Sequence, residues 1–234
     1  MTGTIIELVI AAIVFVGSHV GISSSGLRAD LVRRLGERAY VGLYTGVSLI
    51  LLAWLIRAYA GAPRIQLWWP PPALVILPLV VMAFALLFVV CGLTQRNPTA
   101  AGVAGPPAAD AQPASGIFAV TRHPVMWGIG LWAISHFLVN GDLASMILFA
   151  SLGFLALYGT RLIDAKKQRT WPAEDWRRFS SSTSNIPFAA IFTSRNEFHV
   201  LQIGWWRIML AGVLYIVLIL LHGVFSGVPV VVQY

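Results

Sequence analysis

Apolar residues in this chain neither alternate with polar ones, as in a half-buried strand, nor form a narrow helical stripe. They run on continuously. Six stretches, residues 4–22, 40–60, 73–93, 124–139, 143–162 and 205–223, read as membrane spans, since a crossing helix needs about 20 apolar residues with a range of about 17–25. The fourth is short; it must thin the bilayer locally or sit among neighbouring helices. The pattern predicts an all-α integral membrane bundle of about six transmembrane helices, organised as one transmembrane domain over residues 1–234. The 4–22 stretch is read as a span rather than a cleavable signal peptide. It opens with Glu7 instead of a basic region, and no small-residue cleavage site follows.

The connectors carry their own signals. Residues 61–72 hold Trp68, Trp69 and three consecutive prolines, which predicts a rigid turn with interfacial aromatics. Residues 94–115 are rich in Ala, Gly and Pro and read as an irregular connector. Asn140-Gly141-Asp142 is a tight turn that makes spans four and five antiparallel neighbours. The connector 163–204 is too long to be structureless. Within it Trp171-Pro172-Ala173-Glu174-Asp175-Trp176 reads as a helix start, with proline entering and acids in the first turn. Trp171, Trp176 and Phe179 are expected to anchor that helix at the interface. The seven apolar residues 186–192 are too few to cross, so they should lie in the interface or fold back beneath the bundle.

Composition agrees with a lipid environment. Of 234 residues 58% are hydrophobic and 11% charged, where a soluble domain carries roughly a quarter charged residues. That excludes a disordered chain, a fibrous chain and an ordinary cytosolic enzyme. The single cysteine, Cys91, excludes a disulfide framework and a Cys-rich zinc site. The net charge of +7 suggests nucleic acid only until the basic residues are placed. Arg28, Arg33, Arg34 and Arg38 fall in the first connector, and Arg96 and Arg122 in the third. Arg161, Lys166, Lys167, Arg169, Arg177, Arg178, Arg195 and Arg207 fall around the fifth; only Arg57 and Arg64 flank the second. Cytoplasmic loops retain positive charge, so the odd connectors face the cytoplasm and both termini face outward. The basic excess then serves topology and anionic lipid, with no nucleic-acid partner.

The polar residues within the apolar runs are the candidates for chemistry. Four of the five histidines lie in or at the edge of a span: His19, His123, His136 and His222. His199, in the long connector, reads as solvated, and His222 as wetted at an interface. His123 precedes Pro124, which biases its backbone away from helix and makes it the start of the span. His19 and His136 sit well inside apolar runs, and neither has an in-span carboxylate partner; the spans contain only Glu7, near the outer face. Neutral imidazole serves equally as an interhelical hydrogen-bonder or as an axial ligand to haem iron. At about 1.5 Å per residue, His19 lies about 6 Å and His136 about 18 Å from the cytoplasmic ends of their spans. Depth alone therefore pairs His19 with His123, or His136 with His222. No glycine-rich phosphate loop, Cys-x-x-Cys pair, zincin helix or serine nucleophile elbow is present.

Several segments taken together are similar to a known family. Ser18-His19, Gly26-Leu27-Arg28, Leu35-Gly36-Glu37-Arg38-Ala39-Tyr40 and Gly42-Leu43-Tyr44 resemble the NnrU family of bacterial membrane proteins. So do Thr121-Arg122-His123-Pro124, Gly128, Leu131-Trp132-Ala133-Ile134-Ser135-His136 and Asn140-Gly141-Asp142. A branch of that family, the plant and algal 15-cis-zeta-carotene isomerases, is also resembled over residues 184–192. The resemblance implies a multi-pass inner-membrane protein with both termini periplasmic. It implies haem b held by His19 and His136, and either a redox-dependent cis–trans isomerase or a component of nitrite and nitric oxide metabolism. A hydrophobic ligand such as a polyene is implied as partner, with oligomeric state open. Ala133 stands where the isomerases have a cysteine, an alternative ligand there, so that ligand exchange is not available to this chain. His123 ranks third as a ligand, and Arg122, Arg28 and Arg161 are candidates to meet haem propionates.

A second resemblance, of Arg122-His123-Pro124 with Gly128 and Ile186-Pro187, is to membrane methyltransferases that bind S-adenosylmethionine at the cytoplasmic face. Met126 stands where those enzymes usually have tyrosine, and a lone Asp164 near where they have paired glutamates. A non-catalytic accessory protein for denitrification is the third expectation.

Overall fold

The structure, a computed structural model, describes residues 3–24, 26–100, 105–107, 114–228 and 230. The irregular connector expected over 94–115 lies in part outside the described residues. The helices are α1 (Ile5–Ser24), α2 (Gly26–Leu35), α3 (Glu37–Gly61), α4 (Ile76–Thr94) and α5 (Ile117–Val120). They continue with α6 (Pro124–Asn140), α7 (Leu143–Thr170), α8 (Ala173–Ser182), α9 (Ala189–Phe192) and α10 (Trp205–Ser226). No strand occurs among the described residues; one isolated antiparallel bridge joins Gln66 to Asp142. The fold is all-α, and the five segments containing α1, α3, α4, α7 and α10 are long and apolar enough to cross a membrane. Helix α6 has 17 residues, about 25 Å of rise, and is the short one expected.

The chain forms two compact units. The first comprises Met1–Pro78 and Ile129–Trp171, the second Leu79–Gly128 and Pro172–Tyr234.

In the first unit α1 packs on α7 and α3. Helix α1 is apolar all round, so contact with its neighbours rather than polarity marks its buried face. Leu8, Ala11, Ala12 and Phe15 are buried at helical spacing, while Ile6 and Ile13 are 71% and 65% exposed. Helix α3 adds Leu55 and Ala58 to this core, and α7 adds Ala144, Leu148 and Phe149. Lipid is as apolar as leucine, so helices associate where small residues allow close approach. Ala133 of α6 lies in this core, facing Gly153.

Helix α2 was not expected, since its three arginines obscured it. Leu27, Leu31 and Leu35 nevertheless repeat at helical spacing. Gly36, at φ 82°, lets α3 begin at once. Arg28 pairs with Glu37 at 2.7 Å and lies over the Tyr40 ring.

The turn between α6 and α7 is stitched to the proline-rich connector. Leu67 and Trp68 both donate their amides to the Gly141 carbonyl, at 2.9 and 3.2 Å. Gly141 has φ 68°, and a Cβ there would collide with the Trp68 carbonyl. The Asp142 carboxylate caps α7 by accepting from the Ser145 amide at 3.0 Å, and it accepts from Arg64 Nη1 at 3.5 Å.

In the second unit the start of α6 lies against α4. A Cβ on Gly92 would sit 2.6 Å from Val125 Cγ2, and one on Gly128 would sit 2.6 Å from the Ala85 carbonyl. Helix α8 begins after Pro172 with Glu174 and Asp175 in its first turn, as expected. Its aromatic anchors differ from expectation. Phe179 is 1% exposed and Trp171 is likewise buried, because both rings are used as packing within the protein rather than offered to the membrane surface. Residues 186–192 fold back as expected: the Phe188 amide donates to the Val120 carbonyl at 2.8 Å, and α9 packs on α5.

Candidate functional site

The two interior histidines belong to the first unit and share one local design. His19 lies on α1, four residues after Phe15 and next to Ser18. Its Nδ1 is 2.7 Å from the Phe15 carbonyl oxygen. His136 lies on α6, four residues after Trp132 and next to Ser135, with Nδ1 2.9 Å from the Trp132 carbonyl oxygen. A carbonyl oxygen only accepts, so in both rings Nδ1 carries the proton and Nε2 is the basic nitrogen.

Aromatic side chains wall both imidazoles. The His19 ring is 4.4 Å from Phe15 and 5.7 Å from Tyr44, and Tyr44 stacks on Tyr40. The His136 ring is 5.2 Å from Phe149 and 5.8 Å from Trp132, which meet each other edge-on. Phe15 and Phe149 are members of one apolar cluster, and Trp132 packs against it. The two imidazoles therefore border the same core. They do so at different levels. The starts of α1 and α7 share an end of the unit, marked by Gly3 against Gly61 and by Leu143 bonding Ile65. His19 is about 21 Å along α1, and Phe149, beside His136, about 9 Å along α7, at about 1.5 Å per residue.

Arg122 and His123 belong to the second unit. His123 is 1% exposed, and its carbonyl receives the Trp127 amide at the first turn of α6. Arg122 is bound to the segment after α8. Its amide donates to the Ser184 carbonyl at 2.9 Å, and its Nη1 to the Thr183 carbonyl at 3.3 Å. Its guanidinium lies over the Trp176 ring. Thr121 Oγ1 and Trp127 Nε1 both donate to the Asn185 carbonyl, at 2.6 and 2.7 Å. Thr99 Oγ1 donates to the Arg122 carbonyl. None of these partners was foreseen, because each is about sixty or about twenty positions distant in sequence.

The remaining candidates are placed as follows. His222, at the end of α10, has Nδ1 2.7 Å from the Val228 carbonyl. His199 is exposed beside Glu197. Arg28 is engaged with Glu37, and Arg161 is exposed on α7. Cys91 is fully buried in α4. Among the described residues no group of three or more His, Cys, Asp or Glu side chains is placed to hold a metal ion.

Continuous apolar helices with small-residue contacts and few interior polar groups define a multi-pass α-helical membrane protein. Residues 7–230 match the family described as NnrU protein, and the chain belongs to that family. It is 30% identical over 197 residues to the chloroplastic 15-cis-zeta-carotene isomerase of Arabidopsis thaliana, covering 81% of this chain and 51% of that protein. It is 29% identical over 200 residues to the isomerase of the same name from Zea mays, covering 82% and 52%. The chain thus spans about half the length of these relatives. No solved structure matches it.

Proposed function

We infer that this chain is a haem b-binding inner-membrane protein of the isomerase type, acting on the double bonds of a polyene-like hydrophobic substrate. The observation that carries this reading is the pair of interior histidines with Nδ1 tied to a main-chain carbonyl. That bond fixes ring orientation and makes Nε2 the nitrogen a metal would take, as a backbone partner does behind a ligating histidine. The donor set fits a haem better than a bare metal ion, since the imidazoles are walled by Phe15, Tyr44, Trp132 and Phe149 rather than by carboxylates. Because the two imidazoles border the core at different levels, His19 or His136 singly would hold the group; on the His19 side Arg28 lies near enough to the Tyr40–Tyr44 wall to meet a propionate. When bound, haem supplies an iron centre able to change oxidation state. The chain supplies an apolar, water-poor setting for a polyene and fixed imidazole orientation. Ala133, buried in the core, offers no second ligand.

The activity named for the relatives supports the isomerase reading, and the match of half their length leaves the substrate to be found. A role in nitrite and nitric oxide metabolism is the alternative use of the same centre. The methyltransferase reading has less support. Arg122 is bonded to the Thr183 carbonyl and lies over Trp176, which gives it a structural task.

Protein purified from haem-replete cells should show a Soret band that shifts on reduction. His19→Ala or His136→Ala should weaken it, and testing them singly separates one-histidine from two-histidine ligation. A colourless preparation, or a band indifferent to both substitutions, overturns the reading. Conversion of a 15-cis polyene by the reduced protein, followed chromatographically, tests the isomerase step.

A further inference from the structure

The serines preceding the two histidines repeat an arrangement that neither the family nor the relatives' names assign. Ser18 Oγ donates to the Phe15 carbonyl oxygen at 2.8 Å, the same oxygen that His19 Nδ1 reaches at 2.7 Å. Ser135 Oγ donates to the Trp132 carbonyl oxygen at 3.0 Å, the same oxygen that His136 Nδ1 reaches at 2.9 Å. In each case Ser Oγ and His Nδ1 are 3.4 Å apart. Each oxygen also receives the ordinary helical amide bond from four residues on. Two lone pairs therefore serve three donors.

A serine bonding back within its own helix is common by itself. Here it occurs at both of the chain's Ser-His pairs, on two different helices, each time with an aromatic residue three positions before the serine. We propose that Ser18 and Ser135 are positioning residues that set the strength of the Nδ1 bond, and through it the electron density that His19 and His136 present at Nε2. The hydroxyl draws on the shared oxygen and weakens its hold on the imidazole proton. It also limits that oxygen's freedom to follow another partner. Removing the hydroxyl leaves the carbonyl more fully to the imidazole. The Nδ1–H bond then tightens and Nε2 becomes a richer donor. The 3.4 Å hydroxyl contact is too long to offset this.

Only the consequence for iron rests on the haem reading; the hydrogen-bond claim stands on the protein alone. The test uses the full chain in detergent, with 15N-labelled histidine followed by NMR. Wild-type His19 and His136 should both be Nδ1–H tautomers. Ser18→Ala should move the His19 Nδ1 proton downfield and leave His136 unchanged, and Ser135→Ala should do the reverse. Ser18→Thr and Ser135→Thr retain the hydroxyl and should restore the wild-type resonances. In haem-loaded protein the alanine variants should have a lower midpoint potential than the threonine variants. Identical resonances for the alanine and threonine variants, or Nε2–H tautomers in the wild type, overturn the proposal. Should the protein bind no haem while the resonances move as stated, the haem reading alone falls. Should it bind haem while they do not move, this proposal alone falls.

Discussion

Two sets of interior polar groups, one in each unit, are satisfied in different ways. In the first, His19, His136, Ser18 and Ser135 all bond to carbonyls three or four residues back on their own helix. These bonds stay within one helical turn. In the second, Thr121, Arg122 and Trp127 reach the backbone of residues 183–185. There the polar groups hold separate segments together. A local bond orients a ring from within its own helix; a long-range bond makes the side chain part of the scaffold. This is the physical ground for looking for a cofactor among the first unit's histidines and for reading Arg122 as structural.

Substitutions should expose the difference. Arg122→Gln removes the bond to Thr183 and the contact with Trp176, and should cost about 2–3 kcal/mol, read as a lowered melting temperature in detergent. A silent Arg122→Gln would erase the contrast. Asp142→Ala probes the first unit's own long-range fastener, since it removes the cap on Ser145 and the partner of Arg64. A loss of about 1.5 kcal/mol is expected, confined to the α6–α7 turn in exchange measurements. Thr183→Val deletes a fully buried hydroxyl that accepts from Arg122 Nη1 at 3.4 Å, sixty-one positions away, besides donating to the Phe179 carbonyl, at about 1 kcal/mol. Ser18→Ala deletes a hydroxyl bonded back to its own helix in the first unit, and should change stability by less than about 0.5 kcal/mol. Equal losses for Thr183→Val and Ser18→Ala in denaturant titrations would show that locality is not what separates the units.

The same distinction governs what the sequence discloses. Long apolar runs announced the spanning helices because lipid burial needs only length. Helix α2 went unread because Arg28, Arg33 and Arg34 mask the spacing of Leu27, Leu31 and Leu35. The four-residue α5 is too short to carry a period. The interior face of α1 was also hidden, since every side is apolar and Leu8, Ala11, Ala12 and Phe15 on it differ in no common property from the exposed Ile6 and Ile13. His19 and His136 were visible as candidates because imidazole in an apolar run is rare, and their serine and aromatic companions lie within one turn. The partners of Arg122 were not visible. No spacing in the chain says that Thr121 will meet Asn185 or that Trp127 will do the same. Trp171 and Phe179 were misplaced at the membrane surface because amphipathic rings suit an interface and a core equally well.

Arg195 gathers the carbonyls of Ser180, Ser181 and Thr183 on one Nη1, at 3.3, 3.0 and 3.0 Å. Asn196 beside it takes those of Ser182 and Ala114. Those of residues 180 to 183 are oxygens that the end of α8 would otherwise leave to water. The residues from 180 to 196 are thereby closed into a ring by two adjacent side chains. Such a loop should open as a single event rather than fray from one end. Deuterium uptake at its amides would then be correlated, and a protease should find either the whole segment or none of it.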